Sequence, residues 1–197
     1  MRGVRVQEGE RARAADGFAY AAATVEPWPE GVERVAAYLR EAGAEARVEE
    51  LPAETPTAQD AARAVGTEPE RIVKSLVLDC GDRFVLALVP GDRRADPAKV
   101  AAAAGCASAR VARADQVAAA TGFPPGAVAP FPLREVERVL VDRTVLAHDR
   151  VWIGAGSRTH LAAIAPAELA RLTRAEAADL LEEPPGDRGA GSGSGDG

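Results

Sequence analysis

Ile72-Val73-Lys74-Ser75-Leu76-Val77-Leu78-Asp79 and Phe84-Val85-Leu86-Ala87-Leu88-Val89 are two apolar runs joined by Cys80-Gly81-Asp82-Arg83. Short runs rich in Val, Leu and Ile read as buried strands, and a Gly-Asp connection between them reads as a hairpin. The lysine in the first run is the oddity. Lys74 and Lys99 are the only lysines among the 24 Lys and Arg residues of the chain. An ammonium is a compact charge with three rotatable donors, and desolvation readily lowers its pKa. It suits a carbonyl, carboxylate or phosphate oxygen held in a pocket. A packed stem whose head reaches water fits the same strand.

Upstream of this hairpin, Val32, Val35, Ala36 and Leu39 recur at helical spacing ahead of Gly43, a pattern that predicts a helix and its stop. Arg47–Leu51 is a short strand. Thr57 can cap a helix running to Val65, with Asp60 completing a capping box and Gly66 ending it. Downstream, Asp96 and Pro97 open a helix that ends at Gly105. A strand through Ala109-Arg110-Val111 and a helix from about Asp115 to Thr121 follow.

The segment Gly122-Phe123-Pro124-Pro125-Gly126-Ala127-Val128-Ala129-Pro130-Phe131-Pro132 contains four prolines and two glycines. It can be neither a helix nor a central strand. It is a stiff loop that offers backbone N–H groups and apolar shape. Val136–Val141, Val151–Ile153 and Leu161–Ile164 read as strands, with a turn or helical stretch over 142–148. Pro166–Leu172 reads as a helix, and Arg174–Leu181 as another, with Thr173 and Glu176 as its capping box. Strands and helices alternate without a regular βαβ beat. The fold class is therefore mixed α/β, a mixed sheet with helices packed around it.

Length and patterning suit a single domain over 18–182, between a disordered leader at 1–17 and a disordered Gly/Ser-rich tail at 183–197. No apolar stretch approaches the roughly 20 residues needed to span a bilayer. The N-terminus lacks the apolar core of a secretory signal, so a cytoplasmic protein with no membrane partner is expected. Cys80 and Cys106 are expected as reduced thiols. A net charge of −6 excludes a protein that coats nucleic acid by charge alone. Residues 93–113 run the other way: Arg93, Arg94, Lys99, Arg110 and Arg113 stand against Asp96 alone. This patch could grip one end of a nucleic acid or be an ordinary solvated face.

Several chemistries fall away on spacing. In Gly154-Ala155-Gly156 the third glycine of a dinucleotide fingerprint is replaced by Thr159, and a strand follows instead of a helix. Cys80, Cys106, His148 and His160 have none of the paired spacings of a zinc site. Ser157 lies in no Gly-x-Ser-x-Gly elbow. His160, after a Gly-Ala-Gly-Ser turn at the mouth of a strand, could project into a cleft or be structural.

Taken in order, five motifs carry a resemblance. They are Glu50-Leu51-Pro52 with Thr57-Ala58-Gln59-Asp60-Ala61-Ala62; Ile72-Val73-Lys74-Ser75-Leu76-Val77; Leu86-Ala87-Leu88-Val89-Pro90-Gly91-Asp92-Arg93-Arg94; Thr121-Gly122-Phe123-Pro124-Pro125-Gly126; and Val151-Trp152-Ile153-Gly154-Ala155-Gly156-Ser157. Over about residues 30–173 the chain resembles the YbaK/EbsC-type aminoacyl-tRNA deacylases, freestanding relatives of the editing insertion domain of bacterial prolyl-tRNA synthetases. The resemblance implies a curved, barrel-like mixed sheet surrounded by helices. It implies hydrolysis of the ester between a wrongly attached amino acid and the 3′-terminal ribose of tRNA, with no metal or other cofactor.

By the same resemblance the catalytic positions are Lys74, Gly126 of the Gly126–Pro130 loop, and His160. Ser75, Pro130, Gly156 and Ser157 are expected to bind substrate, and Arg93, Arg94 and Lys99 to contact tRNA. The expected partners are the aminoacyl-tRNA 3′ end and an aminoacyl-tRNA synthetase, with the chain itself a monomer. His160 follows Ser157 more closely here than in some relatives. Two other functions fit the residues: a non-catalytic module that binds aminoacyl-tRNA ends or a synthetase, and a small-molecule binding protein.

Overall fold

The computed structural model describes residues 27–183; the expected leader, and the expected tail beyond Glu183, lie outside them. The elements are α1 (Glu30–Glu41), β1 (Ala46–Glu50), α2 (Ala58–Val65), β2 (Ile72–Asp79), β3 (Phe84–Pro90), α3 (Pro97–Ala104), β4 (Arg110–Val111), α4 (Ala114–Thr121), β5 (Val136–Asp142), β6 (Val151–Ser157), β7 (His160–Ile164), α5 (Pro166–Thr173) and β8 (Glu176–Ala178). The local signals act as their chemistry requires. Thr57 Oγ1 accepts the Asp60 N–H at 3.1 Å, and Asp96 Oδ1 accepts the Ala98 N–H at 2.8 Å. Each removes an orphan donor at a helix start.

The eight strands form one mixed sheet in the order β1-β7-β6-β2-β3-β5-β8, with β4 paired to β2. The β2–β6, β3–β5 and β5–β8 pairs are parallel and the others antiparallel. The ladder runs from β1 to β8 as an open path, and no pairing among the described residues closes it into a barrel. β3 is buried on both faces, as its unbroken apolar run predicts. Leu86 and Leu88 pack with α1 through Val32, Val35 and Leu39. Val85, Ala87 and Val89 pack with α3 through Val100 and Ala104. Ile72, Trp152 and Leu161 meet Ala61 and Ala62 of α2 in a third cluster.

Residues 174–181 are not the helix that their spacing predicts. Arg174 is left-handed at φ 52° and terminates α5. The Thr173 hydroxyl bonds back to the Leu169 carbonyl at 2.7 Å instead of capping forward. Glu176–Ala178 then add as a parallel edge strand to β5, and Leu180 is fully buried beside Leu140. Tertiary pairing outweighs the local helical pattern here. β6 also runs on to Ser157, past the expected end at Ile153, because its glycine-rich half still pairs with β7 across a register shift.

Cys80 and Cys106 are free thiols in contact, their sulfurs 2.6 Å apart where the β2–β3 turn meets the end of α3. Burial, aided by Cys106, pushes the Cys80 pKa up to about 12. No helix among the described residues is long and apolar enough to cross a membrane.

Asp142 holds the chain's end to the sheet. Only 2% exposed, it accepts the Thr144 N–H at 2.9 Å and the Leu180 N–H at 2.8 Å. Asp142→Ala strands the buried Leu180 N–H, and a loss of about 2 kcal/mol in urea unfolding is expected. An unchanged midpoint would remove Asp142 from this role.

Candidate functional site

The two parallel strands at the centre of the sheet stay together only briefly. β2 and β6 pair at Ile72–Trp152 and Val73–Ile153, and farther along β2 is joined instead by β4 at Leu78–Val111. The proline-rich loop comes alongside where they part. A Cβ built on Gly154 would lie 2.8 Å from the Val128 carbonyl oxygen, closer than real Cβ atoms approach. Only a glycine admits the loop at that point. Two residues on, Gly156 has φ 90° and lies against the Gly31 backbone at the start of α1.

These approaches frame a cavity of about 600 Å³. Its walls are the start of α1, the Gly122–Ala127 segment and the Gly156–Thr159 turn. Gly126, at φ 82°, stands beside it. The Ala127 N–H is held by the Pro124 carbonyl at 3.0 Å, whereas the Gly126 N–H has no partner among the described residues.

His160 stands behind this wall and does not line it. It is 2% exposed, and its Nδ1 lies 2.7 Å from the Ser157 hydroxyl and 3.1 Å from that of Thr159. The Ser157 oxygen also accepts the Thr159 N–H at 3.2 Å. Nε2 is buried and has no partner among the described residues. Trp28 packs edge-on at 6.0 Å. Burial lowers the His160 pKa, and Glu50 opposes that shift. Ser157 and Thr159, both within hydrogen-bond distance of the His160 ring, are the residues of this group that line the cavity.

Lys74 lies outside this cavity wall. Strand alternation puts it on the face of Leu76 and Leu78, opposite Val73 and Val77. His160 shares the face of Ala162 and Ile164, which pack with Val73 and Ile153. The two predicted catalytic side chains thus leave the sheet on opposite faces. Lys74 follows directly on the last β2–β6 pair, Val73–Ile153. Its ammonium donates to the Arg93 carbonyl. Burial lowers its pKa and Arg94 adds to the shift, while Asp92 opposes it. Ser75 is on the other face, its buried hydroxyl without a partner among the described residues. Gly156 and Ser157 line the cavity; Pro130 does not.

The basic patch at 93–113 is neutralised in part, and Arg93 and Arg94 have no carboxylate partner among the described residues. Lys99 is paired with Asp179 at 2.9 Å and Glu183 at 2.8 Å, and its pKa is raised by hydrogen bonds to Glu183 and Asp179. Arg110 is paired with Asp79 at 2.6 Å and Arg113 with Asp115 at 3.2 Å. Arg93 donates to the Glu182 carbonyl at 3.1 Å. The cations that do face the cavity are Arg34, Arg134 and Arg158. No sequence motif singles them out.

A second cavity, of about 810 Å³, lies between β1, β7 and the start of α5. Its Arg171 is paired within the wall to Glu168, and it includes none of the predicted site residues.

The family model described as the aminoacyl-tRNA editing domain matches residues 52–172. The proline–tRNA ligase of Stenotrophomonas maltophilia (strain K279a) is 34% identical over 137 residues, covering 67% of this chain and 24% of the ligase. That of Thiobacillus denitrificans is 34% identical over 117 residues, 58% of this chain and 20% of the ligase. The chain thus spans a quarter or less of the length of these ligases. Among solved structures, a candidate trans-editing enzyme for prolyl-tRNA synthetase superposes with a TM-score of 0.75 at 36% identity, covering 80% of this chain and 100% of that one. The hypothetical protein APE2540 superposes with a TM-score of 0.71 at 31% identity, covering 76% and 99%. Matched over most of its described length, this chain belongs to the aminoacyl-tRNA editing domain family.

Proposed function

We propose that the chain hydrolyses the ester between a wrongly attached amino acid and the 3′-terminal ribose of tRNA, acting as a freestanding editor. The observation that carries this reading is the cavity between the Gly126 loop and the Ser157 turn, in a chain of the editing-domain family. Ester hydrolysis needs a held carbonyl, donors aimed at the developing oxyanion and an oriented water. The Gly126 N–H is the donor, with no side chain of its own to obstruct the approach. The Ser157 hydroxyl hydrogen-bonds the substrate, and His160 is a positioning residue that sets the direction of that hydroxyl. The lining holds no histidine, and its carboxylates are Glu30 and Glu54; in this reading the vicinal ribose hydroxyl of the substrate assists in activating the water.

In this reading Lys74 serves the substrate from the face of the sheet opposite His160. An ammonium has three donors; one goes to the Arg93 carbonyl, and two remain for the substrate's polar groups. The name of the trans-editing relative supports tRNA as the partner.

A panel of mischarged tRNAs tests the activity. Wild type should release one or a few small amino acids, and Lys74→Ala should slow that release roughly 100-fold, the scale of removing one oxyanion donor. Undiminished release by Lys74→Ala would remove the lysine from the site. If tRNA binds and no ester is cleaved, the chain is a binding module.

His160 gives a pH test with a definite sign. Its folded pKa lies below its unfolded value of 6.5. Above 6.5 both states are neutral and the residue contributes no slope. Below 6.5 the unfolded state takes up a proton that the folded state refuses, so stability falls with pH until the folded pKa is reached. NMR should find the His160 midpoint below 6.5, and His160→Gln should flatten that part of the stability curve. A midpoint above 6.5 contradicts the buried neutral ring.

A further inference from the structure

We infer that Arg34, Arg134 and Arg158 form a phosphodiester-binding wall of the cavity and grip the single-stranded RNA just 5′ of the terminal ribose. This rests on the proposed function and specifies how that site would hold its polymer. The three come from separate parts of the chain, α1, the end of the proline-rich loop and the Gly156 turn, yet line one concavity.

Gly122 organises two of them. Arg34 donates to its carbonyl at 2.9 Å with the guanidinium 4.2 Å above the Phe123 ring. Arg134 lies against its Cα, so close that a Cβ there would meet Nε at 2.6 Å. Arg158 donates to the Pro125 carbonyl at 3.4 Å, beside Gly126.

Among the described residues Arg34 and Arg134 have no carboxylate partner, and Arg158 has only Glu54 at 3.7 Å. The Arg34 Nε is buried without an acceptor. Two carboxylates, Glu30 and Glu54, line the same cavity against the three guanidiniums, which leaves one positive charge in excess and favours an anion there. Planar guanidinium forks match phosphate oxygens in pairs. A chain of net charge −6 repels RNA in general, so a local cluster at the reacting end selects where the strand docks. In the patch at 93–113, Lys99, Arg110 and Arg113 are paired with carboxylates, and Arg93 and Arg94, which have no carboxylate partner among the described residues, do not line the cavity.

The test is fluorescence anisotropy with a labelled RNA ending in CCA, against wild type, the double variant R134Q/R158Q, R34K and, as a control in the second cavity, R150Q. Thermal unfolding checks that each variant is folded. R134Q/R158Q should weaken binding at least 10-fold and reduce the slope of log affinity against log salt by about 0.7 for each phosphate that is no longer neutralised. R34K keeps the charge but loses the fork, and should weaken binding several-fold. R150Q should bind as wild type does. Replacing the two terminal linkages of the RNA by neutral methylphosphonates should weaken wild type and leave R134Q/R158Q little further affected.

Unchanged affinity and salt slope in R134Q/R158Q would overturn the inference, as would an equal loss in R150Q. Because the readout is binding, a chain that cleaves no ester but loses RNA in R134Q/R158Q would sink the deacylase reading and keep this one.

Discussion

The site depends on one close approach, the Val128 carbonyl against Gly154. β2 and β6 are parallel partners for only two residue pairs. Beyond them the sheet needs something else beside β6, and the proline-rich loop supplies it. Any side chain at Gly154 would push the loop away. Moving the loop would displace Gly126 and open the cavity wall. The stiffness of four prolines then transmits position without a large entropy cost, because their φ angles are restricted before folding.

Electrostatics follow the same geometry. Carboxylates drawn from distant segments, Asp179 and Glu183 on Lys99 and Asp79 on Arg110, quench part of one basic surface. The guanidiniums around the cavity are left mostly without such partners. Behind the glycine turn, a buried imidazole lies within hydrogen-bond distance of the Ser157 hydroxyl. The cavity lining keeps three guanidiniums against two carboxylates, Glu30 and Glu54. The protein needs no strongly basic side chain at the reacting centre if the substrate's own hydroxyl activates the water.

Local chemistry is readable from sequence wherever one or two residues decide the outcome. Thr57 and Asp96 cap helices because their oxygens reach N–H groups two or three residues on. The β2–β3 hairpin follows from two apolar runs and a polar turn. The Arg174–Leu181 segment misleads because its helical spacing competes with an edge position on β5 that lies more than thirty residues earlier. His160 stands out by its place after the glycine turn, but its burial beside Trp28, more than a hundred residues earlier, is revealed by no local pattern. Lys74 stands out by its rarity. Its separation from His160 across the sheet follows from strand register, and register is a property of pairs. The cavity arginines escape sequence reading for the same reason, since Arg34 and Arg158 are 124 positions apart in the chain (158 − 34 = 124).

The most direct measurement of the central claim is an amide NMR titration with a non-hydrolysable 3′-aminoacylamino-adenosine. Shifts should concentrate on the amides of Gly126–Ala129 and Gly156–His160, with a smaller response at Lys74 and Ser75. Shifts confined to the second cavity, around Ala163–Glu168, or no response at the loop and turn at saturating ligand, would contradict the account.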